Sequence, residues 1–284
     1  MKEVFVNFLE ASKESDELSL EGYFGEDVKD LVRNRDLIST NEHLYNCLKL
    51  WIDNPQYGDD KIKEFILILF DLYLDAVEVG GQEAIDIISS FWLGTAQNPE
   101  MECFSAYTEY ARIFTETKEL FRQPNSKLSE KKKVVAATAN TYSKGVELIG
   151  KVLTILIILK KITHKDTYNY MKIYSMTLAE KIELFNKDKN PRHSKLTSVI
   201  NRPLRNAEAH LSLNFNFNKA VFLLKKKVKG RIIHEQITYE KMITEMFMGV
   251  SHVTQAFIYS GILLILALDD KEKFILSIDS VYGK

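Results

Sequence analysis

A chain of 284 residues, 45% of them hydrophobic and 27% charged, is long enough to bury a sizeable core and too apolar to stay disordered. Twelve glycines, five prolines and two cysteines exclude collagen-like, low-complexity and disulfide-scaffold proteins and favour a helical globular fold. The formal net charge of −1 conceals an asymmetry between the two halves of the chain.

The opening stretch, MKEVFVNFLEASKES, has no continuous apolar core and carries an acid early, so it does not read as a signal peptide. Amphipathic helical patterns follow near 27–51, 61–79, 82–96 and 100–121, broken at DNPQYGDD, GG and NPE. Phe65, Phe70, Tyr73, Phe91 and Trp92 recur at helical spacing and are most simply core. Cys47 and Cys103 lie far apart and fit no metal spacing, which points to a reduced, cytoplasmic setting. The sequence has no zinc-protease helix motif, Gly-rich phosphate loop or nucleophile elbow, and no metal or other cofactor is expected. No repeat consensus supports a helical solenoid.

Pro124, Asn125 and Ser126 form a breaker cluster, and a domain boundary is expected there. The charge changes sign at the same place. Residues 1–123 hold 11 basic and 25 acidic residues, a balance of −14; residues 124–284 hold 27 and 14, a balance of +13. A basic half attracts polyanions, and an acidic half that covers it would regulate that attraction. Two ordinary solvated surfaces would give the same count.

Downstream, one long helix is predicted over about 129–162, a second over 166–187, and a third stretch over 194–212 with Pro203 inside it. The pattern then becomes β-like, with strands near 219–225 and 231–237 around a basic turn at Lys227 to Arg231. Thr238 is the expected N-cap of a last long helix, with Lys241 and Glu245 on its polar side. Residues 246–268 of that helix contain no Lys, Arg, Asp or Glu and could span a bilayer by length. Their Ser, His, Thr, Gln and Tyr, and the lack of adjoining basic residues, favour a helix buried in a bundle, so no membrane partner is expected. The fold class is therefore all-α. An acidic helical part, 1–123, precedes a basic four-helix part, 124–284, with a small β-hairpin inserted before its last helix.

Within the third helical stretch lies NRPLRNAEAHLS, residues 201–212. Proline is tolerated in the first turn of a helix, so a helix restarting at Pro203 carries the following residues at about 100° steps. Leu204, Ala207 and Leu211 then share an apolar face, which Ile200 joins if the helix is continuous. Arg205, Asn206, Ala209 and His210 fall opposite, with Asn206 and His210 in an i, i+4 relation. A solvated helix face is the plain alternative.

LRNAEAH resembles the Arg-x4–6-His motif of the HEPN superfamily, in which a polar residue, often Asn, follows the Arg. The order of two long helices, a motif helix, a small hairpin and a final long helix is similar to bacterial defence members. The resemblance covers roughly residues 125–270 and does not reach 1–123, whose role is expected to be regulatory or sensory. It implies a HEPN-like four-helix bundle and a metal-independent endoribonuclease, with Arg205 and His210 as the catalytic pair and Asn206 in support. It further implies an RNA partner, with tRNA and mRNA both open, and a homodimer through the motif helices. A toxin-like role in abortive infection and anti-phage defence, with an inhibitor or trigger protein, is implied by family alone. The chemistry is coherent: RNA carries its own nucleophile, the 2′-OH, a histidine moves protons near neutral pH, and an arginine stabilises the extra phosphate charge.

Two departures stand out. Glu208 occupies a position where related motifs frequently have an aliphatic residue, and it could pair with Arg205 at i+3. Ser212 stands where one branch of the superfamily has a tyrosine two residues after the His, so regulation through that tyrosine is not carried over.

Lys225, Lys226, Lys227, Lys229 and Arg231 crowd the hairpin tip, either as an RNA-backbone contact or as lysine protection of a strand edge. SEKKK at 129–133 and LKK at 159–161 read as solvated faces. His193, His234 and His252 have no ligand-like partners at useful spacing, and His252 reads as a core histidine. Two further functional readings remain: a non-catalytic HEPN-like RNA-binding module in which Glu208 neutralises Arg205, and a helical interaction scaffold.

Overall fold

The computed structural model describes residues 2–53, 60–95, 97–124, 126–209, 213–228 and 231–283. Most helix starts in it are set by a polar cap. Ser39 Oγ accepts from the Glu42 amide, Thr177 and Glu180 form a reciprocal capping box, and Asn190 caps a helix that has Pro191 in its first turn. Asn201, Thr238 and Asp270 cap three more helices in the same way.

In chain order the helices are α1 (Lys2–Leu20), α2 (Glu26–Asn34), α3 (Thr40–Asp53), α4 (Asp60–Gly80), α5 (Gln82–Leu93), α6 (Phe104–Arg122), α7 (Leu128–Thr163), α8 (Tyr170–Tyr174), α9 (Leu178–Phe185), α10 (Pro191–Ser198) and α11 (Arg202–Ala209). A small sheet follows, β1 (Asn214–Asn216), β2 (Val221–Val228) and β3 (Arg231–Thr238), then α12 (Tyr239–Asp269) and α13 (Lys271–Tyr282). The all-α class holds, with this sheet as its only β element among the described residues.

Several expected boundaries shift, each for a local reason. The helix expected over 27–51 is two, α2 and α3, because Ser39 starts a new helix. The one expected over 166–187 splits into α8 and α9 at the Thr177 capping box. The stretch 194–212 divides into α10 and α11 at Asn201, and residues 210–212 lie outside the described residues. α5 stops at Leu93 because Gly94 takes φ +66° while its amide bonds Ser90 O. The hairpin is a three-stranded antiparallel meander in the order β1-β2-β3, with Phe222 opposite Ile237 and Val228 opposite Arg231. Thr238 is the N-cap as expected, and Lys241 reaches Glu245 at 3.9 Å. Residues Met242–Phe247 of α12 wind as a π-helix.

α7 and α12 run through the centre. Among the described residues α12 is the single helix long and apolar enough to cross a membrane, and 83% of its most apolar window is buried inside the protein. Phe257 on α12 sits 4.8 Å from the ring of Phe91 on α5 and 6.0 Å from Tyr73 on α4. Tyr259 lies 5.4 Å from Trp51 on α3, and Ser260 Oγ donates to Ile66 O on α4. Of the aromatic residues expected as core, Tyr73 and Phe91 thus pack against the last long helix and Phe70 against Phe274 of α13, all on the other side of residue 124. One hydrophobic cluster runs from Leu48 to Val281. α6 ends at Arg122 and α7 begins at Leu128, near the expected boundary, and described residues on both sides of it belong to this one core.

The oppositely charged halves meet at three described ion pairs: Arg192 with Asp71 at 2.7 Å, Lys195 with Glu64, and Lys273 with Glu42 at 3.3 Å. Their basic members lie on α10 and α13, and none is on α11. Lys160, expected on a solvated face, is buried instead: its ammonium donates to Phe185 O, pairs with Asp188 at 2.7 Å and lies over the Phe185 ring.

Candidate active site

The segment 201–209 is fixed to α7 from its first residue. Tyr142, buried on α7, donates its hydroxyl to Val199 O at 3.0 Å and accepts the Asn201 amide at 2.6 Å. Burial drives that phenol far above its ordinary pKa, so it remains a protonated donor. Asn201 Oδ1 then accepts from the Leu204 amide at 2.9 Å, which places Arg202 and Pro203 in the first turn of α11. Leu204 and Ala207 are buried against α7 and β2, as their spacing predicts.

The opposite face carries the polar residues. Asn206 is exposed, and Arg205 keeps 31% of its side-chain surface. Arg205 Nη1 donates to Asn206 Oδ1 at 3.2 Å, so these two predicted site residues are brought together. Arg205 Nη2 donates to Glu147 Oε1 on α7, also at 3.2 Å. Its Nε is buried without a hydrogen-bond partner among the described residues. Glu147 is itself 3.7 Å from Lys144. The acid that engages Arg205 is therefore Glu147, 58 residues away in sequence, and the i+3 pairing with Glu208 is not among the described contacts. Glu208 faces a cleft between α7 and β1.

His210 lies outside the described residues, so its distance to Arg205 is not part of this geometry. Among the hairpin residues, Lys225 is exposed on β2 opposite His234. Lys226 and Lys227 hold register positions opposite Ile233 and Ile232, and Arg231 opens β3; Lys229 lies outside the described residues. The proximal half of the sheet packs inward through Phe222, Leu224 and Ile237, while Lys225, Ile232, Ile233 and His234 stand exposed toward the tip.

Compared with known proteins, the chain matches no family model, no curated protein and no solved structure. The HEPN resemblance accordingly rests on the motif and the order of elements.

The other histidines fall elsewhere. His252 is buried in α12. His193 lies 3.8 Å from Asp188, beside the Phe185 ring, and burial, aided by the nearby Lys160 charge, holds its pKa below the usual value. Among the described residues no three His, Cys, Asp or Glu side chains form a metal-holding group. Burial pushes the Cys47 thiol up to about 11 and the Cys103 thiol up to about 12, so neither is a ready thiolate. Sequence reasoning missed Glu147 and Tyr142. Both sit inside one long helix, where nothing in local spacing marks a contact with residues some 60 positions later.

Proposed function

We propose that this protein is a metal-independent endoribonuclease of HEPN type, acting in the cytoplasm in bacterial anti-phage defence. Arg205 neutralises the scissile phosphate, His210 transfers the proton and Asn206 orients phosphate or imidazole. The ribose 2′-oxygen attacks phosphorus, the P–O5′ bond breaks and the 5′-oxygen takes up a proton. The products are a 2′,3′-cyclic phosphate and a 5′-hydroxyl; DNA, lacking the 2′-OH, is not cut.

The observation that carries this reading is the coupled Arg205–Asn206 pair, held on the open side of a capped helix whose other side is buried. Such anchoring is what a cation needs to meet a phosphate without reorganising. The test is incubation of RNA with the wild-type protein and with His210→Ala, in EDTA, with analysis of the ends produced. A homodimer that brings two such faces together, and a trigger or inhibitor protein, remain part of the proposal through family resemblance.

A second reading has one observation in its favour. Glu147 already holds Arg205, so the guanidinium is less free to neutralise a scissile phosphate, and RNA gripped by other basic groups would be bound without being cut. Binding without new RNA ends would select it.

A further inference from the structure

A cleft of about 410 Å³ opens between α7, the end of α11 and the start of the sheet. That volume lies in the range of small-molecule sites. Its walls include Lys132 and Ala136 of α7, Glu208 of α11, and Phe215, Phe217 and Phe222. Phe222 is fully buried and forms the floor, whereas Phe215 and Phe217 are half-buried. The three rings are set edge to face, with centroids 4.9 Å apart for Phe215–Phe217 and for Phe215–Phe222. Phe217 is held by a tight turn: Asn216 Oδ1 accepts the amides of Asn218 and Lys219, and Ala220 takes φ +49° to let the chain return as β2. An aromatic ring left half-exposed on a fastened turn, over a buried aromatic floor, is a stacking platform.

Three polar side chains line this cleft: the neutral Asn214 and two charged groups of opposite sign, Lys132 and Glu208. Lys132 lies within a run of exposed lysines, 131–133, on the basic half of the chain. Glu208 is on the same short helix as Arg205, one turn further on, so the cleft adjoins the proposed cleavage face. A flat heteroaromatic group that donates hydrogen bonds from its edge and carries an anionic linkage matches all of these at once.

We propose that this cleft is a nucleobase pocket for single-stranded RNA, in which the Phe217 ring stacks on one base and Phe215, nearly perpendicular to it, walls the base edge-on, while Glu208 accepts hydrogen bonds from the base edge and Lys132 holds the adjoining phosphate. The proposal rests on the RNA reading given above. A carboxylate meeting a base edge selects donors in pairs, and guanine, with N1–H and N2–H side by side, satisfies it best. Uracil offers the carboxylate one N–H flanked by two carbonyl oxygens and is disfavoured. Glu208 on this account reads the base and does not quench Arg205.

The test uses the full chain and fluorescein-labelled 2′-O-methyl oligoribonucleotides of eight residues, which their own 2′-oxygen cannot cut. One probe is all uridine and one has a single central guanosine. Fluorescence anisotropy should show the guanosine probe bound on the order of tenfold more tightly. Phe217→Ala should weaken both probes, on the order of tenfold, and Phe217→Trp should restore them. Glu208→Gln should abolish the preference for guanosine while leaving the uridine probe unaffected or tighter. If wild type binds both probes and neither variant changes affinity or preference, the pocket is wrong, and cleavage of ordinary RNA by the same preparations would leave the nuclease reading standing. Discriminating binding without any cleavage would leave the pocket standing and remove the nuclease. Absence of binding by the wild type would overturn the pocket.

Discussion

Replacing Glu147 by glutamine should tighten RNA binding. For Arg205 to grip a phosphate it must first release the Glu147 carboxylate, 3.2 Å from its Nη2. The two side chains keep 31% and 41% of their surface, so this is a half-exposed pair whose attraction water screens. Pairs of that kind are worth about 0.2–1 kcal/mol. Removing the competition should therefore lower Kd by about 1.4- to 5-fold, with the larger gain at low ionic strength. The folding cost is no greater than the pair's own worth, so Tm should fall by no more than about 4 °C. The assay is anisotropy of a labelled, non-cleavable RNA at two salt concentrations, with Arg205→Ala as the reference for loss of the cation. If Arg205→Ala weakens binding but Glu147→Gln leaves it unchanged or weaker, Glu147 does not compete with phosphate. A loss of cleavage with unchanged affinity would instead make Glu147 a positioning residue for Arg205.

Other consequences concern the shared core and its titration. Phe257→Ala removes the ring that joins Phe91 and Tyr73 across the two halves; chemical denaturation should show a loss of about 3–5 kcal/mol in a single cooperative step, whereas two separate transitions would mean independently folded halves. Gly145 of α7 sits where any Cβ would strike Val250 and would come within 2.7 Å of Tyr110. Gly145→Ala should cost about 1–3 kcal/mol by overpacking, and a neutral or stabilising result would contradict the close approach of α7 and α12. Burial holds His193 below 6.5, and His43 as well, so the unfolded chain protonates first as pH falls. Their contribution is complete above about pH 6.5 and lost through the lowered folded values. Thermal melts should show Tm declining below that pH, and His193→Gln should flatten the decline.

The long apolar patterns were legible because they are long. The 36 residues of α7 and the apolar run of α12 read as helices from periodicity alone. The breaks in 27–51 and 166–187 were also legible in principle, since Ser39-x-x-Glu42 and Thr177-x-x-Glu180 each carry the capping signature, but the apolar period runs on across both and masks it. Pro203 located the restart of α11, and the faces it presents follow from the 3.6-residue turn. What could not be read was tertiary. Lys160 carries a charge inside a lysine pair yet is buried, because Asp188 and Phe185 O come to it from a distant segment. The change of charge at residue 124 suggested two bodies; the aromatic residues of α3, α4 and α5 found their partners on α12 instead. Glu147 and the Phe215–Phe217 cleft likewise arise only when α7, α11 and the sheet are assembled.

The central claim is that the ribose hydroxyl cuts its own strand under the hands of Arg205 and His210. Mass spectrometry of RNA fragments after incubation with the wild-type chain in EDTA tests it most directly. The account predicts fragments ending in 2′,3′-cyclic phosphate and beginning with 5′-hydroxyl, lost in both Arg205→Ala and His210→Ala. Fragments with 5′-phosphate ends, cleavage that survives either substitution, or intact RNA would contradict it.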